Sequence, residues 1–290
     1  MTARRPAAWY DAQYDNRARI PGALGILQRW MDDSAAARGR LRATLDLPYG
    51  DDPSERLDLF HPSPGGKRPA PVLVYLHGGY WRALHKGDQS FVAEPFCQAG
   101  ALVVVPDYAL CPAVSVQHIV LQMVRALAWV RRHAAEHGAD PGHIVVAGHS
   151  AGGHLAAMML ACRWSDWNAE LPPHLVKAAL SLSGVFDLGP LRQAPFLAPD
   201  LRLTAAAARQ LSPCRVKAPA QGQLVALVGA DESEEFQRQN RLIRRAWGAH
   251  AVPVCEAVPA RHHMGILADL ADPQARAHHL ALGLLGLPPR

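Results

Sequence analysis

Short apolar runs rich in valine or leucine recur at residues 72–76, 101–105, 143–147, 178–182 and 224–228, and a further candidate strand lies at 253–258. Runs of this length without alternation suit strands buried on both faces. Between them the period changes. Residues 115–136 place Ile119, Val120, Met123, Val124, Leu127 and Val130 at spacings of three and four, and Gly138 follows as a stop; this predicts an amphipathic helix with a glycine C-cap. Residues 151–162, 234–247 and 265–270 read as further helices. Strands alternating with helices of this length predict an α/β fold with a mainly parallel sheet covered on both faces.

The alternation is interrupted twice. Residues 61–71 hold four prolines and two glycines, and form a loop that should be neither helix nor interior strand. Residues 164–176 and 188–219 are proline-rich with a short alanine-rich helix, and are expected to form a small cap over the site. The expected organisation is one domain over 1–290, with an N-terminal extension over 1–45.

Composition narrows the field. A hydrophobic fraction of 49% in 290 residues is ample for one large core. The formal charge of +5 is scattered; its densest stretch, Arg238, Arg241, Arg244 and Arg245, has helical spacing beside Leu242, Ile243 and Trp247. It reads as a solvated helix face, so nucleic acid is not an expected partner. Five well-separated cysteines, Cys97, Cys111, Cys162, Cys214 and Cys255, form no metal-ligand pattern and suggest free thiols in a reducing compartment. Residues 1–19 lack the apolar core of a signal peptide, and no stretch reaches the length of a membrane span. The expectation is a cytoplasmic protein with no membrane partner; a homodimer stays open.

The candidate chemistry sits at strand ends. Gly148-His149-Ser150-Ala151-Gly152 follows one strand and opens a helix, the context of a nucleophile elbow, in which a serine is held clear of the sheet. Upstream, His77-Gly78-Gly79-Tyr80-Trp81 ends another strand; such a turn directs main-chain N–H groups at a developing oxyanion. Gly78, Gly79, Tyr80 and Ala151 are the expected oxyanion elements, and His77 is expected to brace the loop. The acid and then the base should follow the serine. Asp231 and Glu232 leave the strand at 224–228, and Asp187 is a third carboxylate on an earlier strand. His262 and His263 follow the last strand, and either could be the base; His154, one helical turn from Ser150, could buttress the elbow.

With Tyr14-Asp15-Asn16-Arg17, Leu47-Pro48-Tyr49-Gly50, Glu55-Arg56-Leu57-Asp58, His77 to Trp81, Gly148 to His154, Glu235-Phe236-Gln237-Arg238-Gln239 and His263-Met264 up to Leu270-Ala271-Asp272, the chain resembles the kynurenine formamidases (arylformamidases), α/β-hydrolases related to the hormone-sensitive-lipase-like esterases. The resemblance implies Ser150 as nucleophile, His263 as base and Glu232 as acid, where the family usually has aspartate, with Asp231 as runner-up. It also implies hydrolysis of N-formyl-L-kynurenine, a substrate with an aromatic leaving group, without metal or organic cofactor. Tyr80, Trp81 and the cap are expected to wall the pocket. A broad-specificity carboxylesterase is the alternative, and a non-catalytic binding module on the same scaffold is a third reading.

Overall fold

The computed structural model describes residues 5–65 and 69–288. Residues 66–68 of the proline-rich loop and the first four of the polar N-terminal stretch lie outside the described residues.

Eight strands form one sheet: β1 (Ala43–Pro48), β2 (Arg56–Phe60), β3 (Ala70–Leu76), β4 (Leu102–Pro106), β5 (Ala139–His149), β6 (Val176–Leu182), β7 (Gln223–Gly229) and β8 (Val254–Val258), in the order β1-β2-β4-β3-β5-β6-β7-β8. β2 pairs antiparallel with both β1 and β4, and the remaining pairs are parallel. Strand alternation feeds two cores. Val72, Val74 and Leu76 of β3 enter one, while Leu73 and Tyr75 enter the other. Each run is therefore apolar throughout because both faces are covered.

The helices are α1 (Ala7–Tyr14), α2 (Asn16–Arg19), α3 (Ala23–Arg40), α4 (Ala93–Ala99), α5 (Val116–His133), α6 (Ala151–Leu160), α7 (Trp164–Trp167), α8 (Ala198–Leu201), α9 (Ala205–Gln210), α10 (Glu234–Ala251), α11 (Gly265–Ala271) and α12 (Arg276–Leu284). α5, α6 and α10 cover the first core, and α3, α4, α11 and α12 the second. α5 starts where Ser115 accepts from the His118 N–H (3.2 Å) and gives way to a 3-10 turn, Ala134–His137, closed by Gly138 at φ 75°. On α10, Ile243 and Trp247 are buried while Arg241 and Arg245 are exposed, as a solvated basic face requires. Among the described residues no helix is long and apolar enough to cross a membrane.

Three features depart from the sequence pattern. β1 is a half-exposed edge strand without an apolar stripe. β2 buries Asp58, whose carboxylate pairs with Lys86 Nζ at 2.6 Å, so a charged residue breaks the run that would have marked it. At the end of the proline-rich loop, Pro71 lies inside β3, at the point where its register with β5 shifts between Ala70 and Val72. A proline has no N–H for the ladder and is tolerated at such an irregularity.

Candidate active site

β5 delivers Ser150 to the sharp turn that opens α6. Its φ of 58° and ψ of −116° are strained for a residue with a side chain. The turn is held by the Ser150 N–H donating to the Leu182 carbonyl (2.8 Å) on the neighbouring strand β6. A Cβ on Gly148 would stand 2.2 Å from the Gly152 carbonyl oxygen, and one on Gly152 would stand 1.9 Å from that of Leu76. The spacing of the motif is thus enforced by main-chain contact. Ala151 is the first residue of α6, and its N–H has no partner within the helix.

The loop after β3 runs through three successive left-handed residues, Gly79 (φ 99°), Tyr80 (φ 51°) and Trp81 (φ 55°). Among the described residues, no main-chain hydrogen bond of the turns and loops uses the Gly79 or Tyr80 N–H. Gly78 packs directly on the elbow: a Cβ there would lie 2.9 Å from the His149 carbonyl oxygen and 3.3 Å from Ser150 Cβ. His77 braces this loop as expected. It is fully buried, stacks on Tyr108 with ring centroids 4.1 Å apart, and contacts the Gly78 carbonyl (2.9 Å) and Asp107 Oδ1 (3.2 Å). Burial opposes charge on Asp107, but hydrogen bonds from His77 and His85 outweigh it and hold the carboxyl well below its usual range.

The turn after β7 brings Glu232 under the loop that carries His263. His263 Nδ1 lies 2.6 Å from Glu232 Oε2. Oε1 of the same carboxylate accepts from the Gly229 N–H (2.7 Å) and from Ser183 Oγ. The Glu232 side chain is completely buried and that of His263 is 6% exposed. A carboxylate only accepts, so Nδ1 carries the proton and Nε2 is left with its lone pair. The alternatives are placed elsewhere. Asp231 is exposed; Asp187 accepts from the Gly189 N–H (3.1 Å) and faces Arg238; His262 Nδ1 accepts from the Gly265 N–H (3.0 Å).

Ser150 and His263 open onto a cavity of about 470 Å³, also lined by Gly79, Tyr80, His149, Trp30, Phe196 and Met264. Tyr80 is where the sequence puts it, with its ring edge-on to Phe196 at 5.9 Å. Trp81 is not on the wall. It is fully buried in the core, perpendicular to the His154 ring at 4.9 Å. Of the two expected cap segments, one reaches the cavity. From 188–219 only Phe196 and Asp200 reach the wall, 164–176 supplies none, and the N-terminal helices supply Asp15, Asn16, Arg17, Ala18, Leu27 and Trp30.

Two buried histidines frame the elbow. His154 Nε2 donates to the Leu211 carbonyl (2.7 Å), tying α6 to the chain beyond α9; burial lowers its pKa to about 4. His149, which the sequence reading left without a role, donates from Nε2 to the His263 carbonyl (2.7 Å) and packs on the His263 ring at 4.7 Å. Burial, then the neighbouring His263, lower its pKa to about 3. Its position before the nucleophile was visible in the sequence; its partner 114 residues away was not.

The remaining signature segments act as clamps. Tyr14 Oη donates to Glu235 Oε2 (2.6 Å) and accepts from Gln239 Nε2 (3.1 Å), while Tyr49 Oη donates to the Asp107 carbonyl (2.6 Å). Among the described residues no group of three or more His, Cys, Asp or Glu side chains could hold a metal ion.

The BD-FAE family model matches residues 57–195. The kynurenine formamidase of Danio rerio is 30% identical over 86% of this chain and 84% of its own. Esterase LipC of Mycobacterium tuberculosis is 33% identical over 48% of this chain and 36% of its own. A Silicibacter protein described as a thioesterase superposes with a TM-score of 0.80 at 32% identity, covering 92% of this chain and 96% of its own. With 30% identity across 86% of its length, the chain belongs to the kynurenine formamidase family of α/β-hydrolases.

Proposed function

We propose that this protein is an arylformamidase that hydrolyses N-formyl-L-kynurenine to formate and L-kynurenine, a step in tryptophan breakdown, through a Ser150–His263–Glu232 triad. The observation that carries the reading is that His263, held by the buried Glu232, opens onto the same cavity as the strained Ser150. Glu232 fixes the Nδ1–H tautomer of His263, whose Nε2 takes the proton of Ser150 as Oγ attacks the formyl carbon. The N–H groups of Gly79 and Tyr80, on the loop that Gly78 packs against the elbow, and of Ala151 on the elbow itself receive the oxyanion. Collapse breaks the C–N bond, and the imidazolium delivers its proton to the departing aniline nitrogen. Water, deprotonated by His263, then cleaves the formyl ester, releasing formate and Ser150. Trp30, Tyr80 and Phe196 on the wall support an aryl leaving group, since aromatic pairs are worth ~0.5–1.5 kcal/mol beyond area burial. Five unpaired cysteines support a cytoplasmic location.

The second reading is a carboxylesterase, favoured by the similarity to esterase LipC, since the same triad cleaves esters. Comparing kcat/KM for N-formyl-L-kynurenine with that for p-nitrophenyl esters from acetate to decanoate separates the two. The formamide and the shortest ester should lead; a preference for long esters with the formamide untouched makes the protein an esterase.

A further inference from the structure

The segment Tyr14-Asp15-Asn16-Arg17 takes no part in the chemistry above, yet it is built into the cavity wall. Tyr14 is a clamp. Tyr80 Oη donates to the Tyr14 carbonyl (2.7 Å), so a residue of the oxyanion loop holds the chain directly before Asp15. Asp15 Oδ1 accepts from the Ala18 N–H (3.0 Å). Asp15, Asn16 and Arg17 all line the cavity that holds Ser150 and His263.

Folding alone accounts for neither Asn16 nor Arg17. Asn16 is 7% exposed, and its Nδ2 has no hydrogen-bond partner; a buried amide donor is normally paired. Arg17 forms no ion pair among the described residues, whereas the other guanidinium of the wall, Arg82, is engaged by Asp200 and by the Phe196 carbonyl (2.7 Å). Gln89 adds a second buried, unpartnered amide donor, Nε2, with its Oε1 taken by Tyr75 Oη (2.7 Å). His149 Nδ1 is a buried, unpartnered ring nitrogen on the same wall. A free guanidinium beside a buried amide N–H suits a carboxylate, and the adjacent Asp15 carboxylate suits an ammonium.

We propose that residues 15–17 recognise the charged α-amino acid head of the aryl leaving group, its carboxylate on the Arg17 guanidinium and Asn16 Nδ2 and its ammonium on Asp15. This rests on the formamidase reading and names the part of the substrate that selects it. The anilide bond is served by the triad, and the head group is served by α2 and its cap, which Tyr80 ties to the oxyanion loop.

The test compares two formamides with the same scissile bond, N-formyl-L-kynurenine and formanilide, which lacks the head group. The exposed Arg17 allows Arg17→Ala without disturbing the core, and Asn16→Asp replaces the buried donor with an acceptor of the same shape. The wild type should prefer formyl-kynurenine, and Arg17→Ala should lower its kcat/KM by ~10–100-fold, the size expected for a charge-assisted hydrogen bond. Formanilide should lose far less, so that the preference collapses, and Arg17→Lys should recover part of it. Equal losses on both substrates, or no loss, overturn the head-group site while leaving an active formamidase. Wild-type protein that cleaves esters but neither formamide overturns the formamidase reading and this proposal with it.

Discussion

Glu232 Oε2 stands 2.6 Å from Nδ1 of His263, and the other oxygen of the same carboxylate is held by the Gly229 N–H and Ser183 Oγ. Three donors from three segments converge on one fully buried side chain. Gly229 is confined beside this carboxylate: a Cβ there would stand 2.1 Å from the Arg261 carbonyl oxygen and 3.1 Å from Glu232 Oε1.

Glu232→Gln should therefore cut kcat by up to ~10⁴, because an amide can turn its N–H₂ toward Nδ1 and stabilise the wrong tautomer. Asp231→Asn, at an exposed position, should change kcat little. Steady-state kinetics on the two variants decide it, and a larger loss in the Asp231 variant would move the acid by one residue.

Ser150→Ala should reduce kcat by a factor on the order of 10⁶ without unfolding the protein, since alanine keeps the Cβ and the strained φ of 58° unchanged. The check is turnover beside circular dichroism, with a fluorophosphonate adduct mapped by peptide mass. An adduct on any residue other than Ser150 would remove it as the nucleophile.

What could be read in advance divides along physical lines. The parallel strands were legible because burial on both faces makes a strand uniformly apolar, and the elbow was legible because main-chain contacts at Gly148 and Gly152 exclude any Cβ. β2 was hidden by Asp58, whose partner Lys86 is 28 residues away. The acid stayed divided between Asp231 and Glu232, since only the turn after β7 decides which carboxylate reaches His263. The cavity wall is hard to read for a related reason: Trp81 sits beside Tyr80 in sequence, but Tyr80 lines the cavity while Trp81 packs on His154 in the core. Nothing local indicated that α2 would lie opposite Ser150, because Tyr14 meets Glu235 across 221 residues.

That long-range clamp has a measurable consequence. Tyr14 is fully buried, and burial, then the Glu235 charge, raise its pKa well above the ordinary value, so it remains a donor at every working pH. Tyr14→Phe removes the charged hydrogen bond to Glu235 along with the one accepted from Gln239, and the first alone should cost ~1.5–3 kcal/mol, read as a lower Tm. Because Tyr80 holds the Tyr14 carbonyl, KM for N-formyl-L-kynurenine should rise as well. An unchanged Tm would mean that Arg238, which holds both Glu235 oxygens within α10, satisfies that carboxylate without Tyr14 and that the clamp adds no stability.

Two of the buried histidines, His149 and His154, contribute to how the protein responds to acid, and burial shifts His61, His137 and His278 in the same direction. In the folded state burial lowers the pKa of His149 to about 3 and that of His154 to about 4, from an ordinary 6.5. The unfolded chain takes up these protons as pH falls through 6.5 and the folded chain does not, so stability is complete above that value and is lost on acidification. Each histidine contributes ~1.4 kcal/mol per pH unit once its unfolded form is fully protonated. His85 acts in the opposite sense, since its hydrogen bond to Asp107 raises its pKa; its side chain is 57% exposed, so solvent screening keeps its share small. Urea midpoints at pH 8, 6.5, 5.5 and 4.5 should therefore hold steady between the first two and fall between the last two. His154→Gln, whose amide can still donate to the Leu211 carbonyl, should flatten that fall by about one histidine's share. If the variant keeps the full acid slope, His154 is protonated in the folded protein and its buried, neutral state is wrong.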